Sequence, residues 1–407
     1  MKESPANEVL QRRANIVLIA VFLVFLWAPT MDSFLHLDPT PSPNENRMPA
    51  AFPKFRENIA GIQDCLAGMH DWVSGVAAYF NDHFGFRKRL VRWERRWKWQ
   101  FFHDARAVDA IMGKDDWLYF SDGRMVDDIR GTHLFSDAEL EAWRTLLTGR
   151  RDWLAQRGIR YLFVIPPDKH TIYPEYLPDW LAKSARPERR IKQFLDYMRT
   201  HSDVPVLDLS TALLDAKPRG MLYRQTDTHW NELGAFFASC EIIRTVAGLG
   251  LDATPPDPAA FRIVPKNLPL GDLARMFGGE DQRFPDRGNL VFPAVTPAPQ
   301  FHIRQEVGML GKKWFVGTDP LISENSAAKV RVVMFRDSFT DACTPYLGLS
   351  FAHVIYIWQQ NWDKRVFDIE KPDIVIDEML ERFVTSRNAS LLRKKDEQPE
   401  TQSLADW

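Results

Sequence analysis

Five short apolar runs recur along the chain from residue 161 onward: Tyr161–Ile165, Val204–Leu209, Val330–Phe335, Val354–Ile357 and Asp373–Asp377. Each is too short to bury itself as a helix, and none shows the strict polar alternation of a strand with one wet face. Such continuous runs are what strands look like when both faces are covered. The stretches between them have helical periodicity, and one opens with a capping-box pattern, Ser136 with Glu139. Strands alternating with helices predict an α/β domain with a mainly parallel sheet flanked by helices. Residues 105–385 are assigned to it. Within them, residues 252–325 are rich in Pro and Gly and lack a clear period, and are read as a long insertion with short strands near the active face.

Ahead of this domain the run Ile16–Met31 contains no charge; Arg12 and Arg13 precede it and Asp32 follows. An apolar stretch of this kind behind a positive cluster predicts a transmembrane anchor, with residues 1–15 in the cytoplasm and the rest outside. A cleavable signal peptide is the rival, but no small-residue cleavage site follows the run and Pro29 disfavours one. Residues 32–54, with Pro39, Pro41, Pro43, Pro49 and Pro53, read as a linker. Residues 55–104 read as a helical segment that ends in a basic-aromatic stretch, and residues 386–407 as a polar, fraying tail.

The formal net charge is −2, which gives no basic surplus for a nucleic-acid partner. Cys65, Cys240 and Cys343 have no metal-ligand spacing and are too few for a disulfide scaffold; three free, buried thiols are expected.

In a parallel sheet, ligands bind beyond the carboxyl ends of the strands. After Val330–Phe335 comes Arg336-Asp337-Ser338-Phe339. A serine in a strand-to-helix turn lies beside N–H groups able to stabilise an oxyanion, the position of an acyl-transfer nucleophile. Taken alone, Ser338 reads more readily as an ordinary helix cap. The segment around Asp227-Thr228-His229 supplies the missing roles. Asp227 can hold the His229 imidazole in the tautomer whose far nitrogen serves Ser338. A metal site from Asp227, His229 and His170 lacks a third ligand at a known spacing, so no metal and no cofactor is expected. Weaker candidates are Lys169, Trp230 and Arg336 as substrate contacts, and Gln359-Gln360-Asn361 as an oxyanion donor.

At these residues the chain resembles the AlgJ/AlgX-type alginate O-acetyltransferases, which have an SGNH-hydrolase-like domain. The resemblance runs through YFNDHFGFRKRL at 79–90, IMGKDDWLYF at 111–120, FVIPPDKHTIYPEYLP at 163–178, TDTHWNELG at 226–234, FRDSF at 335–339 and KPDIVIDEMLERF at 371–383. Its most specific part is D-x-H ahead of a later D-S-F. It implies Ser338 as nucleophile, His229 as base and Asp227 as orienting acid. It also implies an exported polysaccharide as acceptor and a membrane-bound O-acyltransferase as acetyl donor, with the catalytic domain in the periplasm, tethered to the inner membrane. Two positions depart from the family pattern: Arg336 replaces glycine in the G-D-S turn, and D-G-W-L reads Asp115-Asp116-Trp117-Leu118. The chain ends soon after its last expected strand, which makes it closer to the AlgJ type. A carbohydrate acetylesterase with the same triad and a non-catalytic polysaccharide-binding protein are the alternatives.

Overall fold

The computed structural model describes residues 5–35, 50–54, 61–87, 89–90, 93, 110–121, 124–276, 286–293, 302–305, 320–359 and 362–397. The described residues fall into two compact units, one up to residue 93 and the other from residue 110 on, with Arg275 and Met276 grouped in the first.

The first unit holds two long helices. Pro5–Leu35 is one helix that continues through Pro29. Its window Arg12–Pro29 has a mean hydropathy of 1.6 and is long and apolar enough to cross a membrane. The second helix is Ile62–His83. Asp32 accepts the Phe86 N–H at 2.8 Å, and Asp82 accepts the Ala50 N–H at 2.8 Å. Most of the expected linker and of the basic-aromatic stretch lies outside the described residues.

The second unit carries the sheet. Its strands are β1 (Ala110–Met112), β2 (Leu118–Phe120), β3 (Arg160–Ile165), β4 (Val206–Asp208), β5 (Phe261–Leu268), β6 (Asp286–Pro293), β7 (His302–Gln305), β8 (Leu321–Glu324), β9 (Arg331–Phe335), β10 (His353–Ile357) and β11 (Ile374–Glu378). The main sheet has the order β4-β3-β11-β9-β10-β8-β7. Its first five members pair in parallel, and these are the five apolar runs. β8 and β7 continue the sheet antiparallel. The stretch 252–325 therefore does more than insert, since its end supplies two strands of the main sheet and β5 pairs β6 separately.

Strand periodicity sorts the core. Leu162, Val164, Val332, Met334, Val354, Tyr356, Ile374 and Ile376 face one side, under the helix Glu232–Gly248 with Leu233 and Phe236. Tyr161, Phe163, Ile165, Val333, Phe335, Ile355, Ile357 and Val375 face the other, under the helices Asp137–Ala155 and Arg190–His201. Both faces are sealed, which is why the runs read as unbroken apolar. The Ser136–Glu139 capping box starts the helix Asp137–Ala155.

The polar end departs from the sequence expectation. Residues Ala389–Glu397 form a helix rather than a fraying tail. Leu392 is buried, and Asp396 accepts two bonds from the buried guanidinium of Arg150, which also reaches Asp377 at 2.7 Å. A buried arginine needs every partner it can find, and this need recruits the polar helix. The cysteines are unpaired, with Cys240 and Cys343 buried and Cys65 only half-buried.

The two departures from the glycine pattern resolve differently. Arg336 is absent from the positive-φ residues, and its N–H continues the β-ladder to Ile357 O at 2.9 Å. Asp116 sits at φ 60°, next to Asp115 at φ 52°. The left-handed region costs a side chain free energy that glycine escapes, although glycine loses more backbone entropy on folding. Asp116→Gly is accordingly expected to raise stability by about 0.5 kcal/mol, a Tm gain of about 1–2 °C. A fall in Tm on thermal denaturation would show that the Asp116 side chain is needed.

Candidate active site

Two loops at the carboxyl edge of the sheet meet. The first runs from Tyr223 to Trp230, which form an antiparallel bridge; the Arg224 N–H bonds His229 O at 3.1 Å and closes the loop with Asp227 at its tip. Asn231 follows and caps the helix Glu232–Gly248 by accepting from Leu233 and Gly234. The loop therefore has one end fixed in a long buried helix. The second is the turn after β9, where Asp337 caps a short 3-10 stretch, Ser338–Ala342.

Asp227, His229 and Ser338 form a hydrogen-bonded chain. His229 Nε2 lies 2.8 Å from Ser338 Oγ, and His229 Nδ1 lies 2.8 Å from Asp227 Oδ1. Asp227 Oδ1 also accepts the His229 N–H at 3.0 Å. Its Oδ2 accepts from Arg224 Nη1 at 2.9 Å and from the Asp272 N–H at 3.1 Å. Burial alone would raise the Asp227 carboxyl. The bonds and charge of His229 and the Arg224 guanidinium outweigh it and hold the group well below the usual carboxylate range. The His229 side chain is 31% exposed, so the far end of the chain opens to solvent.

It opens on a cavity of about 340 Å³, whose lining includes Arg224, His229, Trp230, Leu268, Ser338 and Asp341. Trp230 is nearly buried; its Nε1 donates to Phe339 O at 2.9 Å and its ring meets Phe339 edge-on. It thereby ties the histidine loop to the serine turn.

The other candidates are placed elsewhere. Lys169, 3% exposed, donates to Leu118 O at 2.7 Å and to Gln225 O at 3.3 Å. Burial pulls its ammonium down to about 8 against the opposing pull of Asp227, Asp272 and Asp286. It joins β2 to the base of the histidine loop and is not among the residues that line the cavity. Arg336 lies over the Trp358 ring at 4.5 Å and donates to Asp341, which does line the cavity. His170 is buried against Arg189 Nη2 at 3.2 Å, in a separate cluster with Asp128 and Glu381. Gln359 is buried, and Gln360 and Asn361 lie outside the described residues.

Several site residues escaped the sequence reading. Glu378 lies buried beneath the serine turn, where its Oε2 accepts the Asp337 N–H at 2.7 Å and the Thr340 hydroxyl at 3.1 Å. Burial and the neighbouring Asp337 charge hold its carboxyl well above the usual range. Asp337 in turn accepts from Phe339 and Leu380 N–H groups. The Asp377-Glu378 pair closing an apolar strand was the available signal, because two acids at the end of a buried run must be doing something there. Arg224 and Asp272 are the others, and neither lies in a motif.

Residues 110–312 match the family described as the SGNH hydrolase-like domain of acetyltransferase AlgX. The chain is 26% identical to the probable alginate O-acetylase AlgJ of Pseudomonas syringae pv. tomato over 43% of this chain and 43% of that one. It is 34% identical to the probable alginate O-acetylase AlgJ of Pseudomonas putida over 28% of this chain and 29% of the relative. The matched part thus spans less than half the length of these curated relatives. Among solved structures, a DHHW family protein from Eubacterium siraeum superposes with a TM-score of 0.51 at 14% identity, over 70% of this chain and 95% of that one, which shows a shared fold. With the matched domain and the curated relatives together, the chain belongs to the AlgJ/AlgX-type family, built on an SGNH hydrolase-like domain.

Proposed function

We propose that the protein transfers acetyl groups to hydroxyls of an exported polysaccharide through a covalent intermediate on Ser338. The observation that carries this reading is the Asp227–His229–Ser338 chain, with two links of 2.8 Å, ending at a solvent-reached cavity. In the first half-reaction His229 Nε2 takes the Ser338 proton as Oγ bonds to the acetyl carbon. The tetrahedral intermediate then collapses, and the imidazolium returns the proton to the donor's leaving oxygen. In the second, a sugar hydroxyl gives its proton to His229 and attacks the acetyl-serine, and collapse regenerates the serine hydroxyl. Asp227 stays ionised throughout and fixes the Nδ1–H tautomer. The N–H of Phe339 is engaged by Asp337 at 2.9 Å. The N–H of Ser338 itself is therefore the group assigned to the oxyanion.

The N-terminal helix would tether this chemistry to the inner membrane with the cavity on the periplasmic side. Acetyl-CoA is cytosolic, so a membrane-bound O-acyltransferase would pass the acetyl group across as donor. Names of the curated relatives support a polysaccharide acceptor of the alginate kind.

The test is partition. Incubated with a chromogenic acetyl ester, the protein should release the chromophore faster when oligosaccharide acceptor is added, and mass detection should find acetylated sugar. Acetate as the sole product with every acceptor would favour the esterase reading, which has the same triad but water as acceptor.

A further inference from the structure

The segment 269–274 is clamped onto the loop that carries Asp227 and His229. Pro269 O accepts from Arg224, the Gly271 N–H donates to Thr226 Oγ1 at 3.2 Å, and the Ala274 N–H donates to Thr226 O at 3.1 Å. At the centre the two segments exchange bonds through their aspartates. The Asp272 N–H donates to Asp227 Oδ2 at 3.1 Å, and the Thr228 N–H donates to Asp272 Oδ1 at 2.7 Å. A Cβ on Gly271 would lie 2.1 Å from Thr226 O, so the two backbones touch only because that residue is glycine. The second oxygen of Asp272 lies 3.9 Å from His229 Nδ1, on a side chain that is 23% exposed.

We infer that Asp272 is a positioning residue for the proposed acyl transfer, bracing the Asp227–His229 loop and placing a second negative charge beside the imidazolium. The inference rests on the acyl-transfer reading. The imidazole changes from neutral to cationic when Ser338 loses its proton. A carboxylate about 4 Å away favours the cation and so lowers the barrier to that step. The charged and titratable groups around the ring are Asp227 on its own loop, Ser338 on the facing turn, Asp272 on the clamp, Arg224 across Asp227, and the buried Lys169 behind them. Arg224 is shared between Asp227 at 2.9 Å and Asp286, so its charge is engaged by two carboxylates other than Asp272.

The full-length protein, Asp272→Asn, Asp272→Ser and Ser338→Ala would be compared on a chromogenic acetyl ester across about pH 5–9, the range over which an imidazole base titrates. Both neutral variants keep an oxygen for the Thr228 N–H, so their Tm should stay near that of the wild type. Expected are a kcat lowered about tenfold at unchanged KM and an acidic limb of the pH–rate profile moved about one unit to lower pH, since a lost anion no longer favours the cation. A merely structural role would leave that limb in place. Wild-type kcat and an unmoved limb in both neutral variants, with Ser338→Ala inactive, would overturn the role of Asp272 and leave the acyl-transfer reading standing. Full activity in Ser338→Ala would overturn that reading itself.

Discussion

Ser338→Ala is expected to lower turnover of an acetyl ester by about 10⁴- to 10⁶-fold while leaving the fold intact. The hydroxyl makes one hydrogen bond, to His229 Nε2 at 2.8 Å, on a partly exposed turn. Its loss should cost no more than about 1 kcal/mol of stability. The turn itself is held from below by Asp337 and Glu378, which accept from the backbone on both sides of the serine and do not need its side chain. His229→Ala should be nearly as damaging, and the double variant little worse than either, because the two act on one proton. Steady-state kinetics beside a thermal melt check this, and a folded Ser338→Ala protein within tenfold of wild type would exclude Ser338 as the nucleophile.

Asp227→Asn should reduce turnover by about 10³- to 10⁴-fold and also cost about 1–3 kcal/mol of stability. The reason is a count of donors. Oδ1 faces the His229 N–H and Nδ1, and Oδ2 faces Arg224 and the Asp272 N–H. With His229 in its working tautomer all four are donors, so an amide NH₂ finds no acceptor in either orientation unless that tautomer changes. Turned toward the imidazole, it imposes the tautomer that protonates Nε2 and leaves no base for Ser338. Turned away, it opposes a guanidinium and a backbone N–H. The combined loss of activity and Tm distinguishes this from the Ser338 variant, and an Asp227→Asn protein with normal Tm and normal turnover would contradict the geometry.

The sequence was most legible where one strand's neighbours are all apolar. The parallel strands could be read because both faces of β3, β9, β10 and β11 are sealed, which leaves an unbroken apolar signature. That Asp227, His229 and Ser338 would meet was legible because ligands of such a sheet gather just beyond the strand ends, and each sits at a loop-to-helix junction. What stayed hidden depends on tertiary contact between remote segments. Gly271 and Asp272 come from a Pro- and Gly-rich stretch without period, and their importance appears only when Gly271 meets Thr226 and Asp272 meets Asp227. Lys169 shows the opposite error. In sequence it is a loop lysine after a double proline, suited to an anionic ligand; in the fold its ammonium is spent on Leu118 and Gln225 carbonyls. The terminal helix Ala389–Glu397 misled by composition, because Asp396 answers a buried Arg150 that nothing local announces.

The central claim is a covalent acetyl-serine, and the most direct measurement is mass spectrometry of the intact protein quenched in acid during turnover of an acetyl ester. The account predicts a mass increment of one acetyl group that maps by peptide analysis to Ser338, decays faster when acceptor oligosaccharide is added, and is missing from Ser338→Ala. Sustained turnover by the wild type with no such increment, under conditions where chromophore release shows a burst, would contradict it.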